Sequence, residues 1–210
     1  MNINQAVILA GGRGSRLKPL TNIIPKPMAP INGIPFLDYL INSIFSVGIN
    51  KVLILIGYRG SVIKNRYSNL KNIAIEFSQG AVEERTGRRV LNAFDKLDDY
   101  FLLMYGDNYW PIELKKMCSN YVNLGTGLTT TVFSNHYGTG EYGYENNVIV
   151  SKDGKVFQYD KKRELQSANG VDIGYFLVNK DNLDPIMDGN ISFEMDILPD
   201  LISKDELGAF

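Results

Sequence analysis

The sequence predicts an α/β protein: a doubly wound, mostly parallel Rossmann-like sheet with helices on both faces and a small antiparallel β addition in the second half. Three observations carry this prediction. A short apolar run ends abruptly in a glycine-rich turn, and apolar runs then alternate with segments of helical periodicity. Beyond residue 145 the pattern changes to short alternating runs around an Asp-Gly pair.

Residues 6–10 (AVILA) carry no polar alternation and read as a strand buried on both faces. Phe36, Leu37, Leu40, Ile41, Ile44 and Phe45 recur at helical spacing between Pro35 and Gly48, which predicts a helix over 36–45. Residues 51–56 (KVLILI) form a second buried strand, 61–67 a helix and 73–77 a third strand, so the chain opens as β-α-β-α-β. A polar, charged stretch over 81–89 precedes a helix predicted at 90–97. A strand at 101–104 stops at Tyr105-Gly106-Asp107-Asn108, followed by a helix over 111–122 and a threonine-rich strand over 128–133. Asp153-Gly154 between runs 147–150 and 156–159 is a hairpin signal. Residues 171–178 add a strand, and 193–202 a helix that Ser192 can cap.

At roughly 100–200 residues per domain, 210 residues without a repeat or linker predict one domain over 1–210. Lys plus Arg number 22 against 23 Asp plus Glu, so the net charge of −1 gives no general pull on nucleic acid or an anionic membrane. Cys118 is the sole cysteine and His136 the sole histidine, which excludes disulfides within the chain, finger-type zinc sites and paired-histidine chemistry. Carboxylates and phosphate oxygens remain as metal ligands, with Mg²⁺ the default ion. The start, Met1-Asn2-Ile3-Asn4-Gln5, lacks a signal peptide's basic region and no apolar run reaches the length of a membrane span, so a cytoplasmic location is expected.

Gly11, Gly12 and Gly14 directly after the first strand allow backbone N–H groups to converge on an anion. The turn is neither a P-loop, since the Gly-Lys-Ser/Thr end is absent, nor a dinucleotide fingerprint, since Leu17 stands where a third glycine is needed. Arg13, Arg16, Lys18 and Lys26, interleaved with Pro19, Pro25 and Pro27, describe a shaped cationic loop suited to a triphosphate.

The string Leu9-Ala10-Gly11-Gly12-Arg13-Gly14-Ser15-Arg16-Leu17-Lys18-Pro19-Leu20-Thr21, with Pro25-Lys26-Pro27-Met28, resembles the signature of the sugar-1-phosphate nucleotidylyltransferases, or NDP-sugar pyrophosphorylases. Ser15 stands where that family more often has threonine. The resemblance implies the nucleotide-diphospho-sugar transferase fold and a reaction of NTP with a sugar 1-phosphate, giving an NDP-sugar and pyrophosphate. Leu9, Ala10, Gly11, Gly12, Arg13, Gly14 and Ser15 would surround the nucleotide, Arg16 would act on the β and γ phosphates, and Lys26 would face the reacting phosphates. Gly106-Asp107 matches the family's Gly-Asp, whose aspartate binds Mg²⁺; in isolation Asp107-Asn108 also fits a simple turn held by side-chain to backbone hydrogen bonds. Arg16, Lys26 and Asp107 are therefore the implied catalytic residues.

Tyr142-Gly143 and Asp160-Lys161-Lys162 resemble the family's Tyr-Gly and Glu-Lys-Pro, where the lysine meets the sugar phosphate and the acid a sugar hydroxyl. Asp160 and Lys162 depart from that pattern. Asp172 and Gly174 fall in a segment lining the sugar pocket, with Asp where the family has Asn, and Glu194 matches an acid that reaches sugar hydroxyls, although the helix dipole explains it almost as well. Base contacts are implied for residues 79–87, including Gln79, Thr86 and Gly87. Glu83, Glu84, Arg85, Arg88 and Arg89 fit a solvated, ion-paired face equally well.

Gly57-Tyr58-Arg59-Gly60 with Val62-Ile63-Lys64, Thr86-Gly87-Arg88-Arg89-Val90-Leu91 and Tyr105-Gly106-Asp107 look like the glucose-1-phosphate cytidylyltransferases. The short chain is more like the heptose-1-phosphate guanylyltransferases, so CTP and GTP both stay open. The family's second metal-binding aspartate falls in a C-terminal segment beyond Leu207-Gly208-Ala209-Phe210. Either a C-terminal segment is lacking or another acid such as Asp172 substitutes. Two alternatives to the enzyme reading stand: a nucleotide-sugar binding module without turnover, and transfer to a non-sugar phosphate such as phosphocholine. Tyr137, Tyr142 and Tyr144 fit a pocket or an interface, and the oligomeric state stays open, a dimer among the options.

Overall fold

The computed structural model describes residues 1–70, 73–135 and 140–210. His136 and Tyr137 lie outside these. In chain order the elements are β1 (Gln5–Ala10), a short hairpin of β2 (Pro30–Ile31) and β3 (Ile34–Pro35), α1 (Phe36–Ser46), β4 (Lys51–Ile56), α2 (Gly60–Tyr67), β5 (Ala74–Gln79), α3 (Thr86–Asn92) and β6 (Tyr100–Tyr105). There follow α4 (Leu114–Leu124), β7 (Leu128–Phe133), the hairpin strands β8 (Val148–Val150) and β9 (Val156–Tyr159), β10 (Val171–Asn179), α5 (Leu198–Ser203) and β11 (Leu207–Ala209).

Seven strands form one sheet in the order β11-β7-β10-β6-β1-β4-β5. All pairings are parallel except those of β10, which runs antiparallel to both β6 and β7. Strand periodicity explains the layers. Ala6, Ile8 and Ala10 of β1 face one side, where Leu37, Leu40 and Ile44 of α1, Ile63 of α2 and Met117 of α4 pack. Val7 and Leu9 face the other, against Val90 and Leu91 of α3 and Leu198 and Leu201 of α5. Full burial of each leucine-sized side chain contributes about 1.5–3 kcal/mol, which is why a run as plain as AVILA commits to the centre of the sheet.

Three boundaries differ from the sequence expectation. The helix expected over 90–97 starts earlier, at Thr86, and gives way to a 3-10 turn at Phe94–Lys96. Its charged first turn masked it, since Arg89 is buried. The helix expected over 111–122 starts at Leu114, because the stretch after Pro111 remains non-helical, and Gly125 (φ +64°) closes it. The last helix opens as a π turn over Phe193–Ile197, with the Ser192 hydroxyl accepting the Met195 N–H at 3.3 Å as expected of a cap. Strand β11 was not expected; three residues are too short for a periodic signal, and pairing with β7 defines it.

Candidate active site

The C-terminal edges of β1 and β6 converge on one cleft, the place where open α/β sheets hold ligands. After β1 the chain passes through Gly14 in the left-handed region (φ +61°) and then through 3-10 turns at Ser15–Leu17, Leu20–Asn22 and Lys26–Met28. A Cβ on Gly14 would lie 2.8 Å from the Cβ of Lys26, so the two ends of the loop touch only because this residue is glycine. The Thr21 hydroxyl closes the loop by donating to the Gly14 carbonyl at 3.0 Å.

A cavity of about 310 Å³ is lined by Leu9, Ala10, Gly11, Gly12, Gly14, Ser15, Arg16, Lys26, Glu84, Thr86 and Asp107, among others. A second, of about 660 Å³, adjoins it and is lined by Asn108, Tyr159, Lys161, Arg163, Asp172, Gly174 and Glu194. Arg16, Lys26, Tyr105 and Asp107 line both. At this junction the Lys26 ammonium donates to Asp107 Oδ2 at 2.5 Å. The arrangement provides a glycine-rich concavity, two cations and a carboxylate on one side, and a polar pocket on the other.

The second pocket's charges are largely engaged with one another. Lys161 donates to Glu194, which is buried and also accepts from the Thr86 hydroxyl at 3.1 Å and the Ser192 hydroxyl at 3.0 Å. Burial alone would raise the Glu194 pKa, but the Lys161 charge and the hydrogen bonds hold it below the ordinary glutamate value. Asp172 accepts from the Thr130 hydroxyl at 2.6 Å and the Gly174 N–H at 3.0 Å on Oδ1, and from the Tyr159 hydroxyl at 3.3 Å on Oδ2; burial nevertheless pushes its pKa up, and the nearby Glu194 charge adds to this. Gly174 (φ +78°) sits at the irregularity in β10 and packs against the Tyr105 ring.

The structure brings together most of the residues singled out in the sequence, with exceptions. Asp160 caps its own loop, accepting the N–H groups of Lys162, Glu164 and Leu165, and does not line either cavity. Gln79 directs its amide to the Gly57 and Gly80 carbonyls and also stays outside them. Gly87 is a packing position: a Cβ there would meet the backbone of residues 191–193 at 3.0–3.1 Å. Gly106 packs likewise under the Leu9 carbonyl. Arg13 pairs with Glu83 at 2.6 Å on the exposed rim. Tyr142 lines a neighbouring hollow with Asn108, Tyr109, Arg163 and Asp172, and Gly143 (φ +102°) forms the turn beside it.

The solvated-face reading of residues 83–89 fails for Arg89. Its side chain is 4% exposed, and its guanidinium donates to the carbonyls of Ile56 at 3.2 Å, Gly11 at 3.3 Å, Ala81 at 2.7 Å and Val82 at 3.3 Å. Burial lowers its pKa, partly opposed by the Glu84 charge. Arg88 reaches the carbonyls of Gly189 and Met187. Sequence reasoning also missed Tyr105 as a lining residue; its hydroxyl is buried near Glu194, and burial, with the charges of Glu194 and Asp172, raises its pKa well above the ordinary tyrosine value. Arg163, in the left-handed region (φ +61°), was missed too; it donates to the Glu145 carbonyl at 2.5 Å while facing the second cavity. Only its nearness to Lys161 in the chain pointed to it.

The geometry agrees with what this chain is similar to. The family model described as nucleotidyl transferase matches residues 5–207. A D-glycero-alpha-D-manno-heptose 1-phosphate guanylyltransferase of Campylobacter jejuni is 33% identical over 178 residues, covering 84% of this chain and 76% of that protein. A probable glucose-1-phosphate cytidylyltransferase of Bacillus subtilis is 29% identical, covering 98% of this chain and 87% of its own length. The crystal structure of HddC from Yersinia pseudotuberculosis superposes with a TM-score of 0.82 at 25% identity, over 99% of this chain and 90% of that one. The chain belongs to the nucleotidyl transferase family.

Proposed function

We propose that this protein transfers a nucleotidyl group from an NTP to a sugar 1-phosphate, with GTP and CTP as the candidate donors and residues 1–210 acting as one domain. The observation that carries this reading is the pair Lys26 and Asp107 at the junction of the two cavities, with the glycine-rich loop forming the wall of one of them.

In this reading the triphosphate lies along the loop, near the N–H groups of residues 11–15, with Arg16 toward the β and γ phosphates. The sugar phosphate enters from the second cavity, where Lys161 and Arg163 supply positive charge. One of its oxygens attacks the α-phosphorus, the bond from that phosphorus to the β-phosphate bridging oxygen breaks, and pyrophosphate leaves with the electron pair. No general base is needed, because the attacking phosphate is already ionised. Lys26 sits where charge develops, so its work is electrostatic stabilisation by a group already in place.

The donor set suits Mg²⁺. Among the described residues no three His, Cys, Asp or Glu side chains form a cage, and Mg²⁺ is commonly held by one or two carboxylates together with phosphate oxygens and water. Asp107 would hold it and, when bound, the ion would neutralise phosphate charge. The test is pyrophosphate release across a grid of NTPs and sugar 1-phosphates. Turnover in one combination supports the reading. The internal pairing of Lys161 with Glu194 favours a second reading, a nucleotide-sugar binding module, which nucleotide binding without pyrophosphate release would support. Among the described residues no helix is long and apolar enough to cross a membrane.

A further inference from the structure

We infer that Arg89 is a positioning residue: its buried guanidinium sets the orientation of the peptide between Gly11 and Gly12, and so presents a backbone N–H to the triphosphate. The inference rests on the proposed function and adds the group that fixes the glycine-rich loop from behind.

Three neighbouring parallel strands, β1, β4 and β5, each end directly before a glycine: Gly11, Gly57 and Gly80. At all three a Cβ would overlap the Arg89 guanidinium, so the glycines together leave the space that this one side chain fills. Arg89 reaches into it from α3. Nη1 donates to the Ile56 carbonyl, and Nη2 to those of Gly11, Ala81 and Val82, which gathers the ends of the three strands on one planar group. The Gly11 carbonyl is held a second time, by the Tyr58 N–H at 2.9 Å.

The peptide plane carries this constraint outward. In a trans peptide the C=O of one residue and the N–H of the next point in opposite directions, so pinning the Gly11 carbonyl to Arg89 and Tyr58 turns the Gly12 N–H away from them. Gly12 lines the nucleotide cavity, and its N–H has no hydrogen-bond partner among the described residues. A donor held ready in this way needs no rearrangement when an anion arrives. Stability alone does not call for an arginine here, because apolar side chains of similar volume often replace buried ionic groups without loss. The nearest carboxylate, that of Glu84, is 4.0 Å from Nη1, beyond hydrogen-bond reach. The guanidinium is thus committed to backbone carbonyls, and a lysine ammonium, lacking the planar fork, could not span all four.

The test is calorimetric binding of inorganic pyrophosphate and of NTPs to the full chain, alongside KM for the NTP and for the sugar 1-phosphate. Arg89→Lys is the variant, since it keeps the charge and loses the fork. We expect it to bind pyrophosphate about tenfold more weakly, the worth of one charge-assisted hydrogen bond, and to raise KM for the NTP by a similar factor. KM for the sugar 1-phosphate should stay within about twofold. A merely structural role would move both KM values together. Unchanged pyrophosphate affinity in Arg89→Lys, or a matching rise in both KM values, overturns the assignment. A wild-type measurement keeps it falsifiable should Arg89→Lys fail to fold: in protein labelled with ¹⁵N-glycine, pyrophosphate should shift the Gly12 amide resonance. A Gly12 resonance that does not move at saturating pyrophosphate overturns the assignment. Wild-type protein that binds neither pyrophosphate nor any NTP overturns the proposed function itself, and this assignment with it.

Discussion

The two halves of the cleft differ in where their charges point. On the side of the glycine-rich loop, proline-shaped turns hold an exposed Arg16, with Lys26 paired to Asp107. On the other side the charged groups are engaged within the protein: Lys161 with Glu194, and Asp172 with the hydroxyls of Thr130 and Tyr159. In the proposed reaction the first half serves as an open cradle for anions. The second is then a neutralised network that an incoming phosphate has to rearrange, at least by competing with Glu194 for Lys161. The contrast teaches that one cleft can combine a preformed anion site with one assembled by its ligand.

Experiments can break or sharpen that contrast. The largest effect is expected at the junction: Asp107→Ala should lower kcat for pyrophosphate release by about 10³-fold, and Lys26→Ala by about 10²-fold, the range seen for removal of preorganised electrostatic groups. Equal turnover in either variant would remove the junction from the chemistry. On the assembled side, Lys161→Met should raise KM for the sugar phosphate by about tenfold or more while leaving KM for the NTP within about twofold, as fits one charge-assisted hydrogen bond. If both KM values rose together, the two halves would not be separable.

Smaller effects concern stability. Gly14→Ala places a side chain at φ +61° against Lys26, which should cost about 1–2 kcal/mol and lower Tm by roughly 2–8 °C at 2–4 °C per kcal/mol for a chain of this size. The smallest is a pH effect. The folded pKa of Glu194 lies below its ordinary value of 4.5, so its contribution to stability is present above that pH and is lost as pH falls through the folded value. The Tm difference between wild type and Glu194→Gln should therefore narrow as the pH is lowered from 6 to about 3. A difference independent of pH would show that the pair with Lys161 does not stabilise the fold.

Much of the sheet could be read from the chain because buried strands such as β1 and β4 are short apolar runs that no other environment accommodates. The glycine-rich turn was equally legible, since Gly14 and the prolines specify backbone shape directly. Arg89 was not. A buried arginine satisfied by carbonyls of distant segments has the same local spelling as a solvated one, and only the tertiary arrangement of residues 11, 56, 81 and 82 tells them apart. Asp160 illustrates the converse: a motif-like position whose carboxylate oxygens are taken by the N–H groups of Lys162, Glu164 and Leu165. Strand β11 escaped because it is defined by its neighbour.

The reversed strand β10 has a consequence for how such a protein can diversify. The chain leaves the sheet after Phe133 and re-enters at Val171, and these two residues are direct partners across β7 and β10. The excursion between them, carrying the β8–β9 hairpin, Lys161 and Arg163, starts and finishes at one point on the sheet's rim. Its hairpin is tied to the platform a second time, where Lys155 bridges Gly208 of β11 and the Gly154 carbonyl accepts the Ala209 N–H at 2.7 Å, so the stretch 160–169 after the hairpin is the part that can change with least disturbance to the platform. Under the proposed function, acceptor preference can therefore drift in that stretch while the glycine-rich loop, wired into the platform through β1, continues to handle the triphosphate.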